Sequence, residues 1–244
     1  MAQQKHSAVK PWIFALCLLK NRPLSTLERK LDIRQVANKD KYDLAASSYD
    51  LIAYLMSLGQ ATRLYEEVAN RVDLPSGGTL VELGCGPASV IPSILKKTDK
   101  SSEIVGIDFS SNMIDIANRK KENNGWRNVR FECMDMYEYS PSKGTDTVVF
   151  CLALTAMPDY EKAIEKALSI LKPGGQLLII DSFPLHTKWY HSISNLYIYL
   201  KSMVVGAKPV GKIINLIREK TDHFEHQEMV LGVYTLIDTR KRQV

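Results

Sequence analysis

Short apolar runs alternate with longer stretches of helical periodicity along most of this chain. Residues 79–83, 103–107, 129–135, 146–151 and 176–181 are short, largely apolar runs between turn residues, which predicts strands. Helical periodicity predicts helices over 43–71, 89–97, 111–124 and 159–170. Strand–helix alternation of this kind builds a parallel sheet with helices on both faces, an α/β fold. After the fifth strand, residues 183–220 are too many for an ordinary connection and are predicted to be helical. A last alternating pair, 223–230 and 232–239, is expected to add antiparallel strands.

The strand ends carry the candidate chemistry. The first strand runs into Glu82-Leu83-Gly84-Cys85-Gly86-Pro87-Ala88, and a second acidic strand end, Asp108, follows 26 positions after Glu82. Gly84 and Gly86 have no Cβ, so the backbone there can take positive φ and approach a ligand closely. A helix is expected to start at once, with Ser89 as N-cap and Pro92 in the first turn, where a missing N–H removes no helical bond. The third strand ends at Asp135, flanked by Met134 and Met136. Ligands of open parallel sheets bind at the carboxyl ends of the strands, where Glu82, Asp108 and Asp135 all fall.

Spacing separates two nucleotide-binding readings. A dinucleotide fingerprint needs a third glycine at position 89, which is Ser89. The chain reads E-x-G-x-G-x-A instead, with an acid ahead of the loop. A carboxylate there repels a pyrophosphate but suits a cationic sulfonium ligand that also carries an amino group. A lone Gly-x-Gly turn is often just a tight connection, and Asp108 alone could be a helix cap. The ordered set looks like the cofactor site of an S-adenosyl-L-methionine-dependent methyltransferase, which leaves S-adenosyl-L-homocysteine as product. On this reading Asp108 accepts the ribose hydroxyls and Asp135 the adenine amino group. Phe109 and Met113 would sandwich the adenine ring, with Met134 and Met136 beside it. Cys85, inside the loop, and Cys151, at the end of the fourth strand, complete the expected cofactor surroundings.

The resemblance extends from about Tyr42 to the C-terminus. Tyr42-Asp43-Leu44-Ala45-Ala46-Ser47-Ser48-Tyr49-Asp50 resembles the Y-D-x-x-A-x-x-Y-D segment of class I methyltransferases similar to the ubiquinone/menaquinone C-methyltransferases and the bacterial phosphatidylethanolamine N-methyltransferases. Leu171-Lys172-Pro173-Gly174-Gly175 resembles the turn before their fifth strand. The resemblance implies a Rossmann-like seven-stranded sheet with helices on both faces, parallel except for an antiparallel strand near the C-terminus. It also implies that Tyr42 and Tyr49 help to cover the cofactor. Ala88 replaces the usual glycine, a small departure.

With 244 residues, 45% apolar and 24% charged, the chain can bury one substantial core. The expected organisation is a basic arm, 1–41, and a methyltransferase domain, 42–244, with a helical lid insertion at about 183–220. Cys17, Cys85, Cys133 and Cys151 show no metal-ligand spacing and read as reduced thiols of a cytoplasmic protein. No metal is expected. The arm holds nine Lys/Arg against three acids and an eight-residue apolar run from Trp12 to Leu19, far below the ~20 residues a bilayer span needs. It reads as a helix packed on the domain, as a homodimer contact or as a peripheral membrane contact through its basic and apolar side chains. A nucleic-acid partner is not expected, because the basic excess sits in this arm and not along an aromatic-lined groove.

The acceptor is expected to be a small or lipid-like molecule, methylated on carbon, nitrogen or oxygen. Trp189 and Tyr197 in the insertion would line its pocket, and His186, Tyr190 or His191 would orient or deprotonate the nucleophile. Base amines of nucleic acids are excluded by the lack of an (Asn/Asp)-Pro-Pro-aromatic motif after strand four, and Cys151 lacks the Pro-Cys context of pyrimidine enzymes. A natural-product O- or N-methyltransferase is the rival within the class. A non-catalytic cofactor-binding or membrane-surface module is the rival outside it.

Overall fold

The protein is seen in a computed structural model that describes residues 57–205, 207 and 209–243. The arm, Tyr42, Tyr49 and residues 43–56 of the helix expected over 43–71 lie outside these residues. In chain order the described elements are α1 (Ala61–Arg71), β1 (Thr79–Leu83), α2 (Ile91–Leu95), β2 (Glu103–Asp108), α3 (Ser111–Asn124), β3 (Val129–Cys133), β4 (Thr145–Cys151), a 3-10 turn (Leu154–Ala156), α4 (Tyr160–Ile170), β5 (Leu171–Asp181), α5 (His191–Val205), α6 (Lys212–Lys220), β6 (Thr221–Met229) and β7 (Tyr234–Lys241).

Seven strands form one sheet in the order β3-β2-β1-β4-β5-β7-β6. The first five are parallel, and β7 runs antiparallel to both of its neighbours. The central strands read as unbroken apolar runs because both faces are covered. Val81, Val105, Val148, Phe150, Leu177 and Ile179 face one way, against Ala163, Ile164 and Ala167 of α4 and Ile213 and Ile217 of α6. Leu80, Ile104, Val149, Leu178 and Ile180 face the other, against Leu64 and Val68 of α1, Ile91 and Ile94 of α2 and Ile198 of α5.

Several expected boundaries move, each for a local reason. β3 stops at Cys133, so Asp135 lies in the loop beyond it. β5 begins at Leu171, because the expected turn Lys172-Pro173-Gly174-Gly175 is carried within the strand. Its pairing slips between Thr145↔Leu171 and Thr147↔Gln176, around Gly174 at φ +72°. α2 begins at Ile91 with Val90 as its N-cap and no side-chain cap bond, so Ser89 is not the cap; Pro92 does fall in its first turn. Real caps stand elsewhere: Ser110 accepts from the Met113 amide at the start of α3, and Asp159 from the Lys162 amide at the start of α4.

Gln176 bolts α1 to the sheet. Fully buried on β5, it donates Nε2 to the Arg71 carbonyl at 2.7 Å and to Asp238 at 2.9 Å, while its Oε1 accepts from the Asp73 amide at 2.9 Å. Gln176→Leu removes all three bonds and leaves buried groups unpaired, at a cost of about 3 kcal/mol. Urea unfolding should show it; a loss below ~1 kcal/mol would mean that water replaces the amide.

Candidate functional site

Three consecutive loops at the carboxyl ends of β1, β2 and β3 converge on one residue, Asp108. The turn after β1 takes positive φ at Gly84 (+75°), Gly86 (+49°) and Ala88 (+59°). Gly84 and Cys85 donate their amides to the Ile107 carbonyl, at 2.8 and 3.0 Å. Asp108 accepts from the Gly86 amide at 2.8 Å through one oxygen and from the Ser110 amide at 2.9 Å through the other. Its own carbonyl accepts from the Met134 amide at 3.0 Å. Asp135 is turned by a bond from the Tyr137 amide at 3.0 Å.

These loops line a cleft open to solvent. Gly84, Gly86, Asp108 and Asp135 supply its polar wall, and Phe109, Met113, Met134 and Met136 its apolar one. A Cβ on Gly84 would come within 2.7 Å of the Ala153 Cβ, so only glycine leaves the turn seated against the opposite wall. That wall comes from the β4–α4 connection, Leu152, Ala153, Ala156, Met157 and Pro158, none of which was singled out in the sequence. Leu152 holds a left-handed φ of +58°, pinned by its amide bond to the Ile180 carbonyl. Asp181 fixes the 3-10 turn by accepting from the Thr155 amide and hydroxyl at 2.9 and 2.8 Å.

Glu82 sits behind the glycine turn, 2% exposed, and its Oε2 has no hydrogen-bond partner among the described residues. Burial first, and Asp108 second, hold its carboxyl well above the usual range. Cys85 and Cys151 are buried beside it, and burial pushes both thiols up, which makes them packing residues. Neither is among the residues that line the cleft.

The insertion candidates stand elsewhere. The Tyr190 hydroxyl donates to Glu228 Oε2 at 3.0 Å, and His191 Nε2 reaches the same oxygen at 3.2 Å. His191 Nδ1 accepts from the Thr187 and Lys188 amides, so Nε2 carries the proton and the buried ring has no free nitrogen. Both therefore anchor the start of α5 to β6 instead of facing the cleft, because Glu228, 37 residues along the chain from His191, supplies their acceptor. His186 is exposed, with Nδ1 3.4 Å from Asn195 Nδ2. Trp189 is 84% exposed and Tyr197 packs half-buried on the sheet, so neither lines the cleft. Lys201, missed in the sequence, is half-buried above the end of β5: Nζ donates to Ser182 Oγ and lies 3.8 Å from the Tyr234 ring centroid. Desolvation lowers its pKa to about 8 against the pull of Asp181.

A sequence profile of the ubiE/COQ5 methyltransferase family matches residues 30–215. The chain belongs to that family. It is a Rossmann-like S-adenosyl-L-methionine-dependent methyltransferase, as the glycine turn and the acids at the strand ends imply. A similar curated protein is the demethylmenaquinone methyltransferase of Desulfitobacterium hafniense (strain Y51), 23% identical over 213 residues, which cover 83% of each chain. Among solved structures, geranyl diphosphate C-methyltransferase from Streptomyces coelicolor A3(2), in complex with Mg2+, geranyl diphosphate and S-adenosyl-L-homocysteine, superposes with a TM-score of 0.60 at 12% identity over 75% of this chain and 79% of that one. The [4+2]-cyclase SpnF superposes at 0.62 with 18% identity, over 75% and 82%. At such identities the superpositions speak for the fold alone.

The residues present fit the family's cofactor: a turn that no Cβ could enter, an orphaned buried carboxyl oxygen behind it and two carboxylates on the cleft wall. Two outcomes follow for this proposed site. Asp108→Asn should weaken S-adenosyl-L-homocysteine binding by about 1.5–3 kcal/mol in calorimetry, the scale of charge-assisted bonds; unchanged affinity in a folded variant would remove Asp108 from the site. Glu82 is held protonated more than an ordinary carboxyl, and a bound cation draws its pKa back down. Binding of the cationic methyl donor should then release a proton and strengthen as pH rises towards the raised pKa of the free protein. Calorimetry in buffers of different ionisation enthalpy reads that proton, and Glu82→Gln should abolish it.

Proposed function

We propose that this enzyme methylates a ring carbon of a lipid-soluble quinol, of the kind named by its demethylmenaquinone methyltransferase relatives. The observation that carries the reading is the family match together with the second wall of the cleft: Leu152, Ala156, Met157 and Pro158 present aliphatic and thioether surface, suited to a flat apolar ring. The bound cofactor supplies an electrophilic methyl group on a cationic sulfur. Everything else falls to positioning and the exclusion of water. Asp108 and Asp135 hold the polar end of the cleft, and Asp181, through Thr155, keeps the 3-10 turn and hence Ala156 and Met157 in place. Transfer to a ring carbon forms one C–C bond, breaks one S–C bond and releases the ring proton. Neither insertion histidine lines the cleft, so the ring proton passes to solvent water.

The test is incubation of the full chain with a short-chain demethylnaphthoquinol and labelled methyl donor, with the product identified by mass and by NMR. A methyl group on the ring carbon is expected. Methyl on oxygen would move the reading to the natural-product O-methyltransferases, and no transfer to any quinol would overturn it. His186→Gln should leave both kcat and S-adenosyl-L-homocysteine affinity intact; a lowered kcat would bring His186 to the cleft.

A further inference from the structure

β5 ends on a carboxylate held almost out of reach of water. Asp181, its last residue, is 4% exposed, and its side chain only accepts hydrogen bonds: from the Thr155 amide at 2.9 Å, the Thr155 hydroxyl at 2.8 Å and the Ser182 amide at 2.8 Å. A backbone N–H stands against each oxygen and cannot turn round, so only the ionised form satisfies the whole set. Burial works the other way. It holds the carboxyl above the usual carboxylate range, against the pull of those bonds and of one positive charge, Lys201.

Lys201 is the one Lys or Arg of α5, and its ammonium is enclosed by the same strand end. Nζ donates to Ser182 Oγ and lies 3.8 Å from the Tyr234 ring centroid on β7 and 5.9 Å from that of Tyr197, one helical turn back. The other titratable groups around the pair leave this charge to Asp181. Burial holds the Tyr197 and Tyr234 phenols up, with Tyr65 of α1 adding to the shift of Tyr234, so all contacts to the ammonium from these rings are neutral. On β4 the buried Cys151 thiol beside Asp181 is held up as well, and Glu82 acts on it from β1. From Ser182 to Arg218 there is no Asp or Glu, and Glu228 is taken by Lys188, Tyr190 and His191. Without Lys201 the buried carboxylate is left without a counter-charge.

What Asp181 holds is one side of the cleft. Thr155 is the middle residue of the 3-10 turn, and Ala156, Met157 and Pro158 directly after it line the cleft. The fit against the glycine turn is close: a Cβ on Gly84 would stand 3.0 Å from Met157 Cε. We propose that Lys201 is a positioning residue for methyl transfer: its ammonium keeps Asp181 an ionised acceptor for Thr155 and thereby sets the cleft wall at Ala156 and Met157. Calling that wall the acceptor's rests on the proposed quinol reading, whereas its position does not. The sign follows from the charges. Removing the ammonium raises the Asp181 pKa, so on acidification the carboxyl takes its proton, and the turn loosens, at a higher pH.

The experiment is a pH titration of the full chain carrying methyl-labelled methionine, with S-adenosyl-L-homocysteine bound and no acceptor, read by NMR at the Met157 ε-methyl signal that Met157→Leu assigns. The signal should move on acidification as Asp181 takes its proton, and Asp181→Asn should abolish that titration. Lys201→Met should displace the midpoint to higher pH, and Lys201→Arg should restore it. Ser182→Ala keeps the charge but removes the oxygen that holds Nζ; it should displace the midpoint in the same direction, and it carries the test if Lys201→Met does not fold. In turnover, Lys201→Met should lower kcat/KM for the quinol ~threefold or more on the acid limb and leave S-adenosyl-L-homocysteine affinity unchanged. A midpoint that neither Lys201→Met nor Ser182→Ala moves, or a titration that survives Asp181→Asn, overturns the proposal. If no quinol is methylated, the substrate reading fails and the Met157 midpoint still decides the role of Lys201.

Discussion

The cleft depends on the Asp108 carboxylate more than on any other group. Its two oxygens accept backbone amides from different loops, Gly86 after β1 and Ser110 after β2, and its carbonyl takes the Met134 amide from the loop after β3. Three loops from three adjacent strands thus share one residue as their common acceptor. The glycine turn can meet it only because Gly84 and Gly86 take left-handed backbone at little steric cost. Burial behind the glycine turn, and this charge second, hold the Glu82 carboxyl above the range of an exposed one. One carboxylate is thus fixed by backbone amides, and a second is kept from ionising by burial first and by its neighbour second.

The parts of the molecule that were legible in the sequence are those in which local pattern and tertiary role coincide. β1, β2 and β4 are apolar on both faces, so their runs announce themselves, and the glycine turn needs a residue type that few other conformations demand. The wall from Leu152 to Pro158 was not legible, because it is a left-handed leucine followed by one 3-10 turn, with neither period nor titratable group to mark it. His191 and Tyr190 misled for a related reason. A histidine in an insertion looks the same whether it meets substrate or a carboxylate, and the carboxylate, Glu228, arrives from a distant strand. Gln176 likewise reads as an ordinary polar position until α1 and β7 close around it.

Fold and reaction are separable in this architecture. The same sheet order superposes on a C-methyltransferase and on a [4+2]-cyclase at comparable TM-scores, so the sheet is a platform and the chemistry is decided above the strand ends. Methyl transfer asks for alignment more than for acid–base groups, which fits a cleft rich in backbone, methionine and aromatic surface and poor in histidine.

The seat of α5 has a kinetic side. Tyr190, His191 and Ser194 hold the helix to Glu228 on β6 and to Leu231 in the β6–β7 turn, and β6 joins the sheet only through β7. β7 must in turn find β5 across some sixty residues of intervening chain, from Gln176 to Arg240. Pairings of long sequence separation close late in folding. Until they do, the buried His191 and Ser194 of α5 lack their partners, and its exposed Leu196 and Leu200 are carried by a nascent chain whose sheet still has an open edge at β5. The assembly of this protein is thus most exposed to misassociation in the last step of its folding.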